Sequence, residues 1–339
     1  MKWILLSVFS GMCNGSFALP MKYATRWKWE NIWSVFALWG FVIFPLLLGV
    51  IAIPNLFGIF RETGIDNLFF VFIFGFLWGI GSICFGLGIR YIGIGLAFSI
   101  NIGMTIAIGS LLPLFLKVTD TSYKPGSIVA VIIGVAVIII GVIINGYSAF
   151  LREKEISKYN KSAASLKSTK KDALKGVVLC IGAGLMSPML QIAFIYGSRI
   201  VNTAKGMGVN VTMASNAIWI IALFGGFVVN ALYTIWLLTN NNSWQLYKIR
   251  EAKKNHLYAI IMGFLWVVTI ACYGMAVSNM GDLGLSVGWA IFNSVGIIWA
   301  NFLGLLTKEW KNVQRKTIMI MIFGLMILIL GTGIVGTVK

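Results

Sequence analysis

Ten stretches of this chain run for about twenty residues with almost no charged side chain, at 3–20, 32–53, 68–90, 92–116, 126–148, 174–197, 212–238, 256–278, 283–306 and 317–337. A helix rises 1.5 Å per residue, so about 20 residues cross a hydrocarbon layer of about 30 Å. The pattern predicts an all-α membrane protein of ten transmembrane helices. Most connections are short. The long polar one, 149–173, carries Arg152, Lys154, Lys158, Lys161, Lys167, Lys170 and Lys171 and separates five helices in 1–148 from five in 174–339. It reads as a basic, solvated cytoplasmic linker.

Charge gives the arrangement a direction. Of the 27 Lys and Arg residues, 20 lie in the connections on one side of the spans and 7 on the other. Loops rich in Lys and Arg stay in the cytoplasm, so the linker is expected inside and both termini outside. A formal charge of +17 would suggest nucleic acid in a soluble protein. Here the basic residues sit in short segments between apolar runs, which points to a lipid bilayer and excludes a nucleic-acid partner. Composition agrees: 59% hydrophobic and 11% charged residues leave too much apolar surface for a soluble core. Cys13, Cys84, Cys180 and Cys272 each lie inside an apolar run without metal-site spacing and are expected as free buried thiols. Residues 10–13 resemble a lipoprotein cleavage site, but Met12 is large for the position before the cut, so the first helix is expected to be uncleaved.

A repeat appears when 75–93 is laid on 263–281. Gly75-Phe76-Leu77-Trp78 matches Gly263-Phe264-Leu265-Trp266, Cys84-Phe85-Gly86 matches Cys272-Tyr273-Gly274, and Gly93 matches Gly281. The matching segments fall in spans three and eight. An odd number of crossings between them turns the second copy upside down, which predicts two inverted five-helix repeats of the kind found in alternating-access transporters.

Polar side chains inside the spans mark where a cavity could lie, although hydrogen bonding between helices accounts for such residues too. Asn14 and Ser16, Asn101 and Thr105, Ser187 and Gln191, Asn216 and Asn230, and Asn293, Ser294 and Asn301 are the candidates. Trp78 and Trp266 sit about ten residues into their spans, near the bilayer midplane at about 15 Å depth. An indole packs against the apolar face of a sugar, and amides meet its hydroxyls. Repeat symmetry is expected to place the two rings on opposite flanks of one midplane cavity, with Asn14, Asn101, Gln191 and Asn293 as amide partners. Trp27, Trp29 and Trp33 are expected in an interfacial belt. Pro188, after Ser187, predicts a kink in span six that frees a backbone carbonyl. No motif for catalysis, metal or cofactor emerges, and the single histidine, His256, lies at a helix end beside Lys253 and Lys254.

The stretch LPMKYATRWKWENIW, with Pro20, Lys22, Trp27, Trp29, Glu30 and Trp33, resembles the L-rhamnose–proton symporter family of the drug/metabolite transporter superfamily. FGFLWGIGSICFGLGIRYIGIG, with Trp78, Gly79, Gly81, Gly86, Arg90, Tyr91 and Gly93, is similar to that family's third and fourth helices, and Lys308-Glu309-Trp310 to its loop before the last helix. The resemblance covers the whole chain. It implies a ten-helix importer that brings a sugar such as L-rhamnose into a bacterium across the inner membrane, driven by protons.

Coupling has a less obvious seat. A proton-coupled carrier ordinarily uses a carboxylate that titrates along the membrane path, yet all ten acidic residues fall in loops or at helix ends. Asp282, before span nine, and Glu30, at the start of span two, are the candidates for coupling to a proton or to sodium. A helix-start role favoured by the macrodipole competes for Asp282. Export or exchange of another metabolite on the same fold, and a membrane enzyme acting on lipid-linked substrates, are the alternatives. The enzyme reading needs an acid or histidine cluster near one interface, which the sequence does not offer.

Overall fold

The structure, a computed structural model, describes residues 1–92, 94–116, 125–159 and 170–338. Gly93, Lys117, Lys124, Lys161 and Lys167 lie outside these. Among the described residues ten segments are long and apolar enough to span a membrane: Lys2–Tyr23, Trp29–Ala52, Ile65–Ile89, Leu96–Phe115, Gly126–Ile156, Asp172–Gly206, Val211–Asn240, Ala252–Val277, Gly284–Leu306 and Arg315–Gly336. They are called spans one to ten. No strand occurs among the described residues.

Three spans carry detail that hydropathy alone does not give. The span-five helix runs from Pro125 to Tyr159, past the expected end at 148 and into the segment read as linker. Residues 149–159 are polar but rich in good helix formers such as Arg152, Glu153, Lys154 and Glu155. The extension is also tied down from one side. Glu155 accepts hydrogen bonds from the Gln314 backbone N–H at 2.7 Å and the Thr317 hydroxyl at 2.6 Å, and Arg152 pairs with Glu309 at 3.2 Å.

Span six breaks where its proline predicts. Helices Lys170–Met186 and Met189–Tyr196 flank Ser187-Pro188, and Pro188 has no N–H to offer the Gly184 carbonyl one turn back. Span two contains a local underwound turn: helix Trp29–Leu38 passes through a π turn, Trp39–Ile43, into helix Phe44–Ala52. The Phe44 N–H reaches back five residues to the Trp39 carbonyl, just before Pro45, which cannot supply the next helical bond. Between spans two and three a short helix, Leu56–Thr63, buries Leu56, Ile59 and Thr63 and exposes Arg61 and Glu62.

The chain divides into two compact units, Met1–Ile80 with Met189–Gly281, and Gly81–Pro188 with Asp282–Lys339. Each draws on both halves of the sequence. The chain passes between them inside span three, at the break of span six, and at Gly281–Asp282 ahead of span nine. In the first unit, spans three and seven touch backbone to backbone: a Cβ added at Gly75 would overlap the Ala222 carbonyl, and one at Gly225 would overlap that of Phe72. Spans two and eight meet at Gly40 and Gly263, where a Cβ on Gly40 would lie 3.1 Å from the Gly263 Cα. In the second unit, spans five and ten approach at Gly134 and Gly331, with only 2.9 Å between a Cβ built on Gly331 and the Gly134 carbonyl oxygen.

Candidate functional site

Aromatic side chains of the first unit form a connected set around Trp78 and Trp266. The two indoles stack on each other with centroids 5.7 Å apart and planes 16° from parallel. They therefore do not stand on opposite flanks of a cavity, as symmetry alone suggested. They stand face to face.

Phe41 contacts both rings, at 5.3 Å from Trp78 and 6.1 Å from Trp266, and Phe17 meets Trp266 edge-on at 5.2 Å. The π turn explains why Phe41 is there. At 3.6 residues per turn, residues five apart point to different faces, but a turn closed by five-residue bonds brings Phe36 and Phe41 together, with centroids 5.2 Å apart. Trp33 continues the set at 4.9 Å from Phe36, and its indole N–H donates to Asn230 Oδ1 at 2.9 Å. So Trp33 is anchored between helices rather than simply placed in an interfacial belt.

Asn14 belongs to the same neighbourhood. The Ser10 hydroxyl donates to the Thr269 carbonyl at 2.7 Å and sets the register of spans one and eight, which run antiparallel. Asn14 lies one turn beyond Ser10 and Trp266 one turn before Thr269, in the same direction. Asn14 is half-buried, and its side chain makes no hydrogen bond among the described residues. Gln191 is placed differently. It is 0% exposed and its side-chain oxygen accepts the Tyr273 hydroxyl, so this amide joins two helices inside the unit.

The amides of the second unit cluster around the break in span six. The Ser187 hydroxyl donates to Asn101 Oδ1 at 3.0 Å and to the Ala183 carbonyl at 2.8 Å. The Trp289 indole donates to the Thr105 carbonyl at 2.9 Å. Spans four and nine run antiparallel, so Asn101, one turn before Thr105, and Asn293, one turn after Trp289, fall in the same layer of that contact. Asn293 itself donates to the Trp289 carbonyl at 2.9 Å. Ser16, Thr105, Ser294 and Asn301 likewise bond back to their own helices.

The two acidic candidates differ sharply. Glu30 is 4% exposed and accepts from the Ser243 hydroxyl at 2.7 Å and the Asn241 amide at 2.9 Å, so it holds the loop after span seven against the start of span two. The Trp27 indole donates to the Leu246 carbonyl at 2.8 Å and its ring meets His256 edge-on at 4.8 Å, which closes the same corner. Tyr247 lies there too. Burial raises its phenol above the ordinary value, offset in part by hydrogen bonds with Ser34 and Asn31 and reinforced by the Glu30 charge. Asp282, by contrast, is exposed in the turn that follows Gly281 and precedes span nine. Among the described residues no cluster of His, Cys, Asp and Glu is arranged to hold a metal, and the four cysteines are free, three of them buried and Cys84 half-buried.

A family model described as L-rhamnose-proton symport protein matches residues 1–338. The chain belongs to the L-rhamnose-proton symporter family. It is therefore a secondary transporter and not an enzyme. Relatives named L-rhamnose-proton symporter from Pectobacterium atrosepticum and Yersinia pestis are 27% and 28% identical, each alignment covering 98% of this chain and 96% of the relative. One solved crystal structure of a protein shares the fold, with a TM-score of 0.50 at 13% identity over 99% of this chain and 97% of that one.

The stretches that carried the family resemblance now have structural places. Trp27, Glu30 and Trp33 build the corner at the start of span two. Glu309 and Trp310 hold Arg152, whose guanidinium lies 5.1 Å from the Trp310 ring centre. Phe17 and Phe41 were not distinguishable in the sequence, because Phe is common in lipid-facing helices; Pro45 was the available signal for the turn that aims Phe41.

Proposed function

We propose that the protein carries L-rhamnose or a related deoxyhexose together with a proton into a bacterial cell across the inner membrane. The family match over residues 1–338 carries this reading. The Lys- and Arg-rich connections then face the cytoplasm and both termini lie outside, by the 20 to 7 division of basic residues.

An inverted five-helix repeat fits the helix crossings of the first unit. A shift that lays span three on span eight also lays span two on span seven. Under it the Gly75 crossing of spans three and seven exchanges with the Gly263 crossing of spans eight and two. The pseudo-twofold would then pass between Trp78 and Trp266. In the first unit Trp78 and Trp266 border the sugar and Asn14 supplies an amide group to its hydroxyls; in the second unit Asn101 and Asn293 are the amides that remain candidate ligands. Gln191 supports the site through Tyr273 rather than by direct contact.

Alternating access requires parts of the chain to move against each other. The three passages between the compact units offer the flexible points: Gly79 and Gly81 beside the first, Pro188 at the second, and Gly281, with φ of +79°, at the third. Asp282 follows that last glycine, where an exposed carboxylate can meet external protons and feel a conformational change. This supports Asp282 over Glu30 as the coupling residue.

Symport makes a direct demand on stoichiometry. Adding L-rhamnose to de-energised cells or right-side-out vesicles should alkalinise the medium as protons enter with the sugar. Sugar uptake with no proton movement would contradict coupling, and no uptake would contradict the substrate.

A further inference from the structure

The geometry points to a division of labour between the paired tryptophans: we propose that a sugar takes the place of Trp266 on the face of Trp78, and that the displaced Trp266 turns its indole N–H onto a sugar hydroxyl. The proposal rests on the sugar-transport reading above. It names which ring is the platform and which is the donor.

As they stand, the two rings leave no room between them. A sugar held between two indoles needs two layers of carbon contact at about 3.5–4 Å each, or roughly 7–8 Å in all. The observed 5.7 Å between centroids is a closed pair. A sugar can reach the Trp78 face only if Trp266 yields it.

The two rings are not equivalent in their surroundings. Trp78 is half-buried, and one edge of its ring lies on Gly226, where an added Cβ would come 2.7 Å from Cε3 and Cζ3. The missing side chain lets that edge of the ring rest on the span-seven backbone. Trp266 is only 9% exposed, and its Nε1 is buried without a hydrogen-bond partner. Its ring neighbours are aromatic: Trp78, Phe17 and Phe41. None of those faces can accept a conventional hydrogen bond. Trp33, in the same set, and Trp27, at the corner before span two, each have an oxygen for their N–H. Trp219 also lacks a partner, but at 2% exposure it is sealed among Phe194, Tyr273 and Gly274 and has no open neighbour.

An orphaned donor beside a reachable ring face is a favourable place for a ligand that is apolar on one side and hydroxylated at its rim. A buried N–H gains a full hydrogen bond there, because it has no bond to give up. A monosaccharide with a C–H face, a 6-deoxyhexose above all, has that character. Phe41 touches both rings and comes from the π turn of span two, so the wall behind the pair is built on irregular backbone that can adjust.

The test uses the full-length protein in vesicles, with L-rhamnose and its monodeoxy analogues as probes. Trp266→Phe keeps a ring but removes the donor. Its half-saturation for L-rhamnose should rise about five- to tenfold. Moreover, one deoxy analogue that binds the unaltered protein weakly should lose nothing further in this variant. Trp78→Leu should weaken all analogues by a common factor. With 5-fluorotryptophan incorporated, the two fluorine resonances identified by Trp78→Phe and Trp266→Phe should both shift on saturation with sugar. Saturable binding with both resonances unmoved, or a Trp266→Phe penalty equal for every analogue, would overturn the proposal while leaving sugar transport intact. Absence of sugar binding by the unaltered protein would overturn the transport reading and this one together.

Discussion

At the scale of single residues, burial and partners separate polar groups that look alike in the sequence. Asn101 and Gln191 both read as candidate sugar ligands, yet Gln191 is 0% exposed and accepts the Tyr273 hydroxyl, while Asn101, 6% exposed, accepts the Ser187 hydroxyl. An amide's partner on another helix is not legible from its own position, because hydropathy reports depth and not facing. The two should therefore fail in different ways. Asn101→Leu leaves Ser187 its bond to Ala183, so protein levels should hold while half-saturation rises about five- to a hundredfold, the equivalent of about 1–3 kcal/mol for an unpaired hydroxyl. Gln191→Leu removes the amide oxygen that accepts the Tyr273 hydroxyl and should lower the melting temperature of the purified protein, by about 1–3 kcal/mol in stability. Adding Tyr273→Phe to it should restore part of the loss, since removing both partners is close to neutral. Equal melting temperatures for Gln191→Leu and the unaltered protein would return Gln191 to the list of direct ligands. Asp282→Asn should leave sugar exchange intact and weaken accumulation against a gradient; unchanged accumulation across pH would reduce Asp282 to a helix-start residue.

At the scale of helices, the ten spans were legible because about twenty apolar residues in a row have few other uses. What escaped that reading was structure carried by something other than hydropathy. The extension of span five to Tyr159 is made by helix propensity and by Glu155 and Arg152 gripping the loop before span ten. The π turn at Trp39–Ile43 depends on Pro45, and the helix Leu56–Thr63 is too short and too amphipathic to register as a crossing. Glycine-rich stretches were visible, but not which glycines sit at a crossing. That distinction orders a series of alanine variants. Gly75→Ala must push span seven away from the Ala222 carbonyl and should sharply reduce the yield of monodisperse protein on gel filtration. Gly40→Ala, with 3.1 Å to the Gly263 Cα, should be milder. At Gly182 nothing lies within 4 Å of the added carbon, so alanine there should be neutral or stabilising by up to about 1 kcal/mol through helix propensity. A Gly75→Ala variant as stable as Gly182→Ala would mean that spans three and seven do not meet as described.

At the scale of the whole molecule, the repeat of 75–93 in 263–281 was legible and led to Trp78 and Trp266 as a pair, while their direct stacking was not. Symmetry relates positions; it does not say how far apart they stand. Orientation rests on charge: a cysteine at Lys161, outside the described residues, should resist an impermeant thiol reagent in intact cells lacking the native thiols, and ready labelling there would invert the topology. The central claim is proton-driven sugar accumulation. Labelled L-rhamnose offered to sealed vesicles containing the purified protein tests it most directly, with an acid-outside pH gradient imposed. The account predicts transient accumulation above the external concentration, abolished by a protonophore and not replaced by a sodium gradient; uptake that only equilibrates, with or without the pH gradient, would contradict it.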